Sequence, residues 1–148
     1  MQGRITVQTE SAAGEERESF ACEADAVWEC TADTLTVRYT EAAEDGAVTR
    51  VMVQASPEGI RIRRHGSMRT VMEFVPGERR ECRYQTPYGD LLLQIDTEEA
   101  AWRETPCGHE LLLRYRMQYA AGECSRHQVE MAIRPIAGEE CEGSCLKS

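Results

Sequence analysis

The chain has 148 residues, a formal net charge of −9 at pH 7 and 41% hydrophobic residues. This length fits one domain with a sizeable core. The acidic balance disfavours partners such as nucleic-acid phosphates and anionic lipid, since binding to either needs clustered cations. No apolar run reaches the ~20 residues of a membrane-spanning helix, and the first residues lack the basic-then-apolar order of a signal peptide. We therefore expect a cytoplasmic protein with no nucleic-acid or membrane partner.

Most of the chain alternates apolar and polar residues with a period of two, which is typical of strands with one buried face. Turn signals rich in Gly, Pro and Asp separate these segments at intervals of about ten residues. The clearest alternating segments are Leu35–Tyr39, Ile60–Ile62, Leu91–Ile95, Leu111–Tyr119 and Val129–Ile133. The pattern predicts an all-β fold of about eight to ten antiparallel strands in an up-and-down order, as a sandwich or a barrel.

Two segments also suit a helix. Glu and Ala are frequent from Glu15 to Ala26, and Phe20, Ala24, Val27 and Trp28 follow helical spacing. The segment Thr97–Trp102 suits a single helical turn capped by its threonine. Periodicity alone leaves both assignments open.

The end of the chain differs from the rest in composition. The residues from Gly138 onward include three glutamates and offer little to bury. We therefore expect a single β-barrel domain over residues 1–137 and a flexible acidic tail over residues 138–148.

Several short motifs between Pro57 and Thr97 resemble those of the YwiB-like family of bacterial proteins of unknown function. In chain order the motifs are Glu58-Gly59-Ile60, Arg64-His65-Gly66, Met68 to Phe74, Gly77, Tyr84 to Gly89 and Leu91 to Leu93. The spacing of Leu111 to Tyr119 and of His127 to Arg134 also resembles that of the family's last hairpin. The resemblance implies a calycin-like (lipocalin-like) β-barrel, and it implies a strand rather than a helix over residues 17–30. It transfers no functional residue, because the family has no assigned activity.

Common catalytic motifs are missing from the sequence. It contains no Gly-rich phosphate loop, no Gly-x-Ser-x-Gly elbow and no His-Glu-x-x-His pair. The carboxylates and histidines show no spacing that selects an acid and base pair. We therefore expect a protein that is not an enzyme.

The seven cysteines are expected to be free thiols, since nothing in the sequence places them in an oxidising compartment. If residues 120–122 form a hairpin turn, Tyr115 faces His127 and His109 faces Ile133. The two histidines then lie roughly 20 Å apart and cannot share a metal ion. The remaining zinc-like set is Cys107, His109, Cys141 and Cys145, but its spacing is unusual. Unrelated thiols are the favoured interpretation, so we predict no metal and no cofactor.

A barrel of this size holds either packed side chains or one small ligand. The candidate lumen residues, which are bulky and include groups able to orient a guest, are Trp28, Tyr39, Tyr84, Tyr115 and His127. The favoured interpretation of His127 is a hydrogen bond to a tyrosine hydroxyl, with ligand contact or haem ligation as alternatives. We expect a protein that binds a small apolar ligand inside the barrel. The alternative is a filled core in a protein-interaction or self-associating module, such as a homodimer.

Positive charge is concentrated in residues 60–84. This window has a net charge of +4, which leaves −13 for the rest of the chain. Its arginines are Arg61, Arg63, Arg64, Arg69, Arg79, Arg80 and Arg83. Solvated strand faces explain such charges in most proteins. Docking of an acidic partner or of a second copy is the alternative.

Overall fold

Ten antiparallel strands form the fold in a computed structural model, which describes residues 1–43, 45–66, 68–120 and 122–135. The strands are β1 (Gln2–Ala13), β2 (Glu16–Cys30), β3 (Leu35–Ala42), β4 (Val48–Ser56), β5 (Gly59–His65), β6 (Arg69–Phe74), β7 (Arg79–Thr86), β8 (Gly89–Thr105), β9 (Gly108–Tyr119) and β10 (Cys124–Pro135). The described residues include no helix capable of crossing a membrane. The expected tail over 138–148 lies outside the described residues.

Each strand pairs with the next one along the chain, and β1 pairs with β10 to close the barrel. The predicted up-and-down antiparallel barrel is therefore confirmed, as is the strand implied for residues 17–30, which is β2. The helical alternatives are wrong. The segment Thr97–Trp102 lies inside β8, with a register shift between Thr97 and Glu99 in its pairing with β9. Pairing with neighbouring strands overrides the weak local preference for helix in both segments.

The β9–β10 hairpin has the predicted register. His127 lies opposite Tyr115, and Ile133 lies opposite His109. The alternation of polar and apolar residues fixes this register, because a slip of one residue would turn every buried side chain outward. The two histidines consequently lie at opposite ends of the barrel.

One end of the barrel is packed with apolar side chains. We call it the closed end; it carries the β2–β3, β4–β5, β6–β7 and β8–β9 connections. Among its inward side chains, Trp28 and Phe74 are fully buried. Gly3 leaves room for the tryptophan, since a Cβ there would lie 2.7 Å from Trp28 Cη2 and 1.9 Å from the carbonyl oxygen of Arg134. This half of the interior is therefore filled by side chains.

The opposite end, which we call the open end, carries the β1–β2, β3–β4, β5–β6, β7–β8 and β9–β10 connections. Three apolar side chains there continue the inward-facing pattern of their strands, yet Phe20 is 60% exposed, Leu91 58% and Tyr119 38%. Nothing in the described part of the chain covers them. The open end is consequently an apolar rim around the barrel interior.

A seam between β2 and β3 widens this opening. The two strands pair only from Ala26 with Tyr39 to Cys30 with Leu35. The preceding part of β2, residues 16–25, pairs with β1 alone among the described strands. Beside this seam the inward side chains of Cys22, Ala24 and Glu41 are partly exposed, whereas those nearer the closed end, such as Trp28 and Val37, are buried.

Candidate ligand site at the open end of the barrel

An ion pair faces the barrel interior at the open end. Arg64 has the same strand parity as the buried Ile60 and Ile62, and Nη1 of its guanidinium donates to the Glu41 carboxylate. The side chains of Arg64 and Glu41 are only 32% and 25% exposed. Charges in such surroundings interact more strongly than in water, since less solvent screens them.

Hydroxyl groups without partners surround this ion pair. Thr70 lies opposite Arg64 in the β5–β6 register, and its buried Oγ1 has no hydrogen-bond partner among the described residues. The buried hydroxyl of Tyr39 lies close to Glu41 but makes no hydrogen bond of normal geometry. Burial raises the pKa of Tyr39, so the phenol stays protonated. A buried hydroxyl left unpaired costs about 1–3 kcal/mol. Both groups are therefore positions where a polar atom of a guest would be stabilised.

A second polar cluster is centred on His127. Ser11 Oγ lies 3.0 Å from its Nδ1, and Ser125 Oγ lies 2.7 Å from its Nε2. Burial lowers the pKa of His127, which favours a neutral ring near pH 7. A neutral imidazole has one N–H, so one serine accepts a hydrogen bond from the ring while the other donates to it. The expected tyrosine partner is therefore corrected to two serines.

Tyr115 connects the two clusters. Its ring stacks on that of His127, with centroids 5.0 Å apart and planes 13° apart. Burial raises the pKa of its hydroxyl, Tyr84 raises it further, and Arg64 acts in the opposite direction. Because both ring nitrogens of His127 already have hydroxyl partners, haem ligation would require the loss of one of these hydrogen bonds.

All five candidate lumen residues face inward, but they lie at different ends of the barrel. Tyr39, Tyr84, Tyr115 and His127 belong to the open half, where the polar clusters lie. Trp28 packs at the closed end against Gly3. The structure thus separates one of the five from the candidate site.

Sequence reasoning missed several polar residues of this site. They are Ser11, Glu41, Arg64, Thr70 and Ser125. The alternation of the two strands could have identified Glu41 and Arg64. Glu41 continues the inward-facing series of β3, and Arg64 continues that of β5. In the sequence, Arg64 groups with the surface charges of residues 60–84, because arginine is rarely found on a buried face.

The expectation of free thiols needs one correction. Cys22, Cys30, Cys82 and Cys124 are free, whereas Cys107 is disulfide-bonded. Burial raises the pKa of Cys82 to about 11, so this thiol is unreactive. From the zinc-like set, His109 lies at the closed end, and Cys141 and Cys145 lie outside the described residues.

A different cluster surrounds His109. One ligand atom each of Cys30, Glu104 and His109 lies within 4.8 Å of the others. However, Nε1 of Trp102 donates to Nδ1 of His109 at 3.1 Å, so the neutral ring carries its proton on Nε2. Neither ring nitrogen then has a lone pair for a cation while this hydrogen bond persists. The cluster accordingly carries no metal assignment.

Comparisons with known proteins identify a solved structure with the same fold and a family to which the chain belongs. Curated proteins gave no match to the chain. The crystal structure of the ywiB protein from Bacillus subtilis superposes with a TM-score of 0.74 at 16% identity, covering 89% of this chain and 92% of that one. At this identity the similarity shows the fold. The family described as Domain of unknown function (DUF1934) matches residues 5–131. The chain therefore belongs to this DUF1934 family, the YwiB-like family of barrel proteins.

Proposed function

We propose that this protein binds a small amphipathic molecule at the open end of its barrel, without chemical conversion of that molecule. The observation that carries the proposal is the contrast between the two ends. Large apolar side chains fill the closed half, whereas towards the open end the buried core is joined by an inward ion pair, unpaired buried hydroxyls and an exposed apolar rim. Ligand sites in proteins typically have this composition, with a mostly apolar lining and a few polar groups that set orientation.

Arg64 favours a ligand with an anionic group. Its guanidinium has five N–H donors, and the hydrogen bonds of the described residues engage Nη1 alone. A carboxylate, sulfonate or phosphate on the ligand can accept from the remaining donors, while the unpaired hydroxyl of Thr70 offers one more. The expected apolar ligand is thereby refined to one with an anionic head.

Phe20, Leu91 and Tyr119 favour an apolar ligand body. They face inward yet remain exposed, so a guest that covers them removes apolar surface from water. The same guest would contact the stacked rings of Tyr115 and His127 below the rim. An aromatic or alkyl body of modest size fits this lining.

A pair of fluorescent probes tests the proposal. 1-Anilinonaphthalene-8-sulfonate carries an aromatic body and a sulfonate, and N-phenyl-1-naphthylamine is the same body without the charge. We expect the sulfonate probe to bind more tightly than the neutral probe. Arg64→Gln should weaken binding of the sulfonate probe about tenfold, and Glu41→Gln should strengthen it. Neither variant should change binding of the neutral probe more than twofold.

Arg83→Gln is the matched control, because this arginine lies on the outward face of β7. It should bind both probes as the unaltered protein does. Circular dichroism of each variant verifies that fluorescence does not report unfolding. If Arg64→Gln and Arg83→Gln have equal effects, or if the probes bind without preference for the sulfonate, the proposed site is wrong.

A further inference from the structure

A row of alternating arginine and aliphatic side chains crosses the outer face of the barrel. It runs from Val27 through Arg38, Met52, Arg63, Val71 and Arg83 to Leu92, one residue on each strand from β2 to β8. The β6–β7 step follows from extending the Arg69–Gln85 pairing by two residues. Neighbouring positions on adjacent strands lie about 4.8 Å apart, so the row is continuous. We call it the arginine–aliphatic row.

Two further arginines lie beside this row. Arg50 and Arg69 both pair with His65, on the outward faces of β4, β5 and β6. The five arginines of this surface are Arg38, Arg50, Arg63, Arg69 and Arg83, and all are exposed. Among the described residues none of the five forms an ion pair, although arginines elsewhere in the same window do: Arg61 contacts Glu73, and Arg79 contacts Asp96. Positive charge therefore remains uncompensated on this one face.

Aliphatic side chains within the row are also uncovered. Val27, Val71 and Leu92 are more than two-fifths exposed, and Met52 is half-buried. A surface that serves only solubility would alternate charge with polar residues. Contiguous exposed apolar groups beside arginine, a residue enriched at protein interfaces, instead favour a protein-binding surface.

We propose that the arginine–aliphatic row binds an acidic protein partner whose contact surface interleaves carboxylates with apolar side chains. Charge complementarity supports this choice, since five unpaired guanidinium groups match carboxylates by bidentate hydrogen bonds. Single-stranded nucleic acid is disfavoured because its bases stack on aromatic rings, and the row offers aliphatic groups only.

A second copy of the chain is a poorer occupant than an acidic partner. A two-fold interface centred on the row would bring its own arginines together. Contact between the row and an acidic face elsewhere on another copy would be heterologous and would give a ring or a filament rather than a two-fold dimer. The surface lies outside the barrel, so it is independent of the small-molecule site.

The test uses three fluorescently labelled probes of equal length: a peptide alternating glutamate with leucine and serine, a peptide with the same number of glutamates and only serine, and single-stranded oligo-dT. We expect the leucine-containing peptide to bind most tightly, and its affinity to fall several-fold between 50 and 300 mM salt. The double variant Arg63→Glu/Arg83→Glu should bind the leucine-containing peptide at least tenfold more weakly. The double variant Val71→Ser/Leu92→Ser should bind the leucine-containing and the all-polar peptides with equal affinity.

Arg126→Glu/Arg134→Glu is the matched control, because these exposed arginines lie on the outward face of β10 and change the net charge equally. It should alter binding less than twofold. Three outcomes would overturn the proposal: equal effects of the two charge reversals, tighter binding of oligo-dT than of either peptide, and light scattering that shows self-association abolished by Arg63→Glu/Arg83→Glu. Anilinonaphthalene sulfonate binding at the open end should be unchanged in Val71→Ser/Leu92→Ser, which alters no charge.

Discussion

Arg64 and Glu41 form the ion pair that faces the interior of the barrel at its open end, and partial burial changes what the pair contributes. Exposed pairs contribute little to stability because water and salt screen them. Breaking a buried pair is costly mainly because one charge is left without a partner. The Arg64 side chain is about one-third exposed. Breaking this ion pair should therefore destabilise the protein more than breaking an exposed pair and less than breaking a fully buried one.

A double-mutant cycle measures this contribution. We expect Glu41→Ala to lower the free energy of unfolding by about 1–2 kcal/mol, and the further change Arg64→Met to recover part of the loss. Urea denaturation of the two single variants and the double variant gives the coupling energy. The same cycle on the exposed pair Arg103 and Glu110 should give about 0.5 kcal/mol or less. Equal coupling in both pairs would contradict an interior role for Arg64 and Glu41.

The buried His109 and the half-buried His127 make stability depend on pH. Burial lowers the pKa of both His109 and His127 below 6.5 in the folded protein. As the pH falls through 6.5, the unfolded chain takes up protons that the folded protein does not. The free energy of unfolding should therefore decrease below pH 6.5, by at most ~1.4 kcal/mol per pH unit for each histidine, and the contribution of these groups should be constant above it.

Urea denaturation between pH 5 and 8 checks this dependence. His109→Gln and His127→Gln should each flatten the decline below pH 6.5, and the double variant should flatten it most. A decline that persists unaltered in the double variant would mean that other groups cause it.

At the scale of elements, β2 has two different environments. Residues 26–30 pair with β1 or β3 and include the buried Trp28, whereas residues 16–25 pair with β1 alone among the described strands and are mostly exposed. A strand with one free edge opens locally at a lower cost than a central strand. The seam beside Cys22 and Glu41 is thus the part of the wall best able to move when a guest enters.

Hydrogen exchange tests this view of β2. Amides of residues 16–25 that face the seam should exchange at least ~100-fold faster than those of Leu111–Met117 in β9, which has neighbours on both sides. Residues 26–30 serve as the control within the same strand and should be protected. Similar protection along the whole of β2 would show that the seam is closed in solution.

The same strand shows how far sequence reasoning reaches for single elements. Alternation predicts β3, β5, β9 and β10 because each has one buried and one wet face. It is ambiguous for β2, whose first half is exposed on both faces and is rich in Glu and Ala. That half is a strand because it pairs with β1. The local pattern of residues within β2 does not reveal this pairing.

At the scale of the whole molecule, the period of two determined the antiparallel class, the strand order and the register of the last hairpin. These features follow from neighbours along the chain, since alternation selects the buried face and turns join consecutive strands. The resemblance of the motifs between Pro57 and Thr97 to the YwiB-like family implied a barrel, and the pairing of β1 with β10 confirms its closure.

The tertiary structure alone decided which end of the barrel is open and which groups meet there. Ser11 and His127 come together because β1 pairs with β10 where the barrel closes. Glu41 and Arg64 lie on β3 and β5, which flank β4, and their side chains form an ion pair inside the barrel. The arginine–aliphatic row likewise exists only once seven strands lie side by side. Local alternation in the sequence determines the face of the sheet on which a side chain lies. The side chains from distant strands that it contacts depend on strand register and on closure of the barrel.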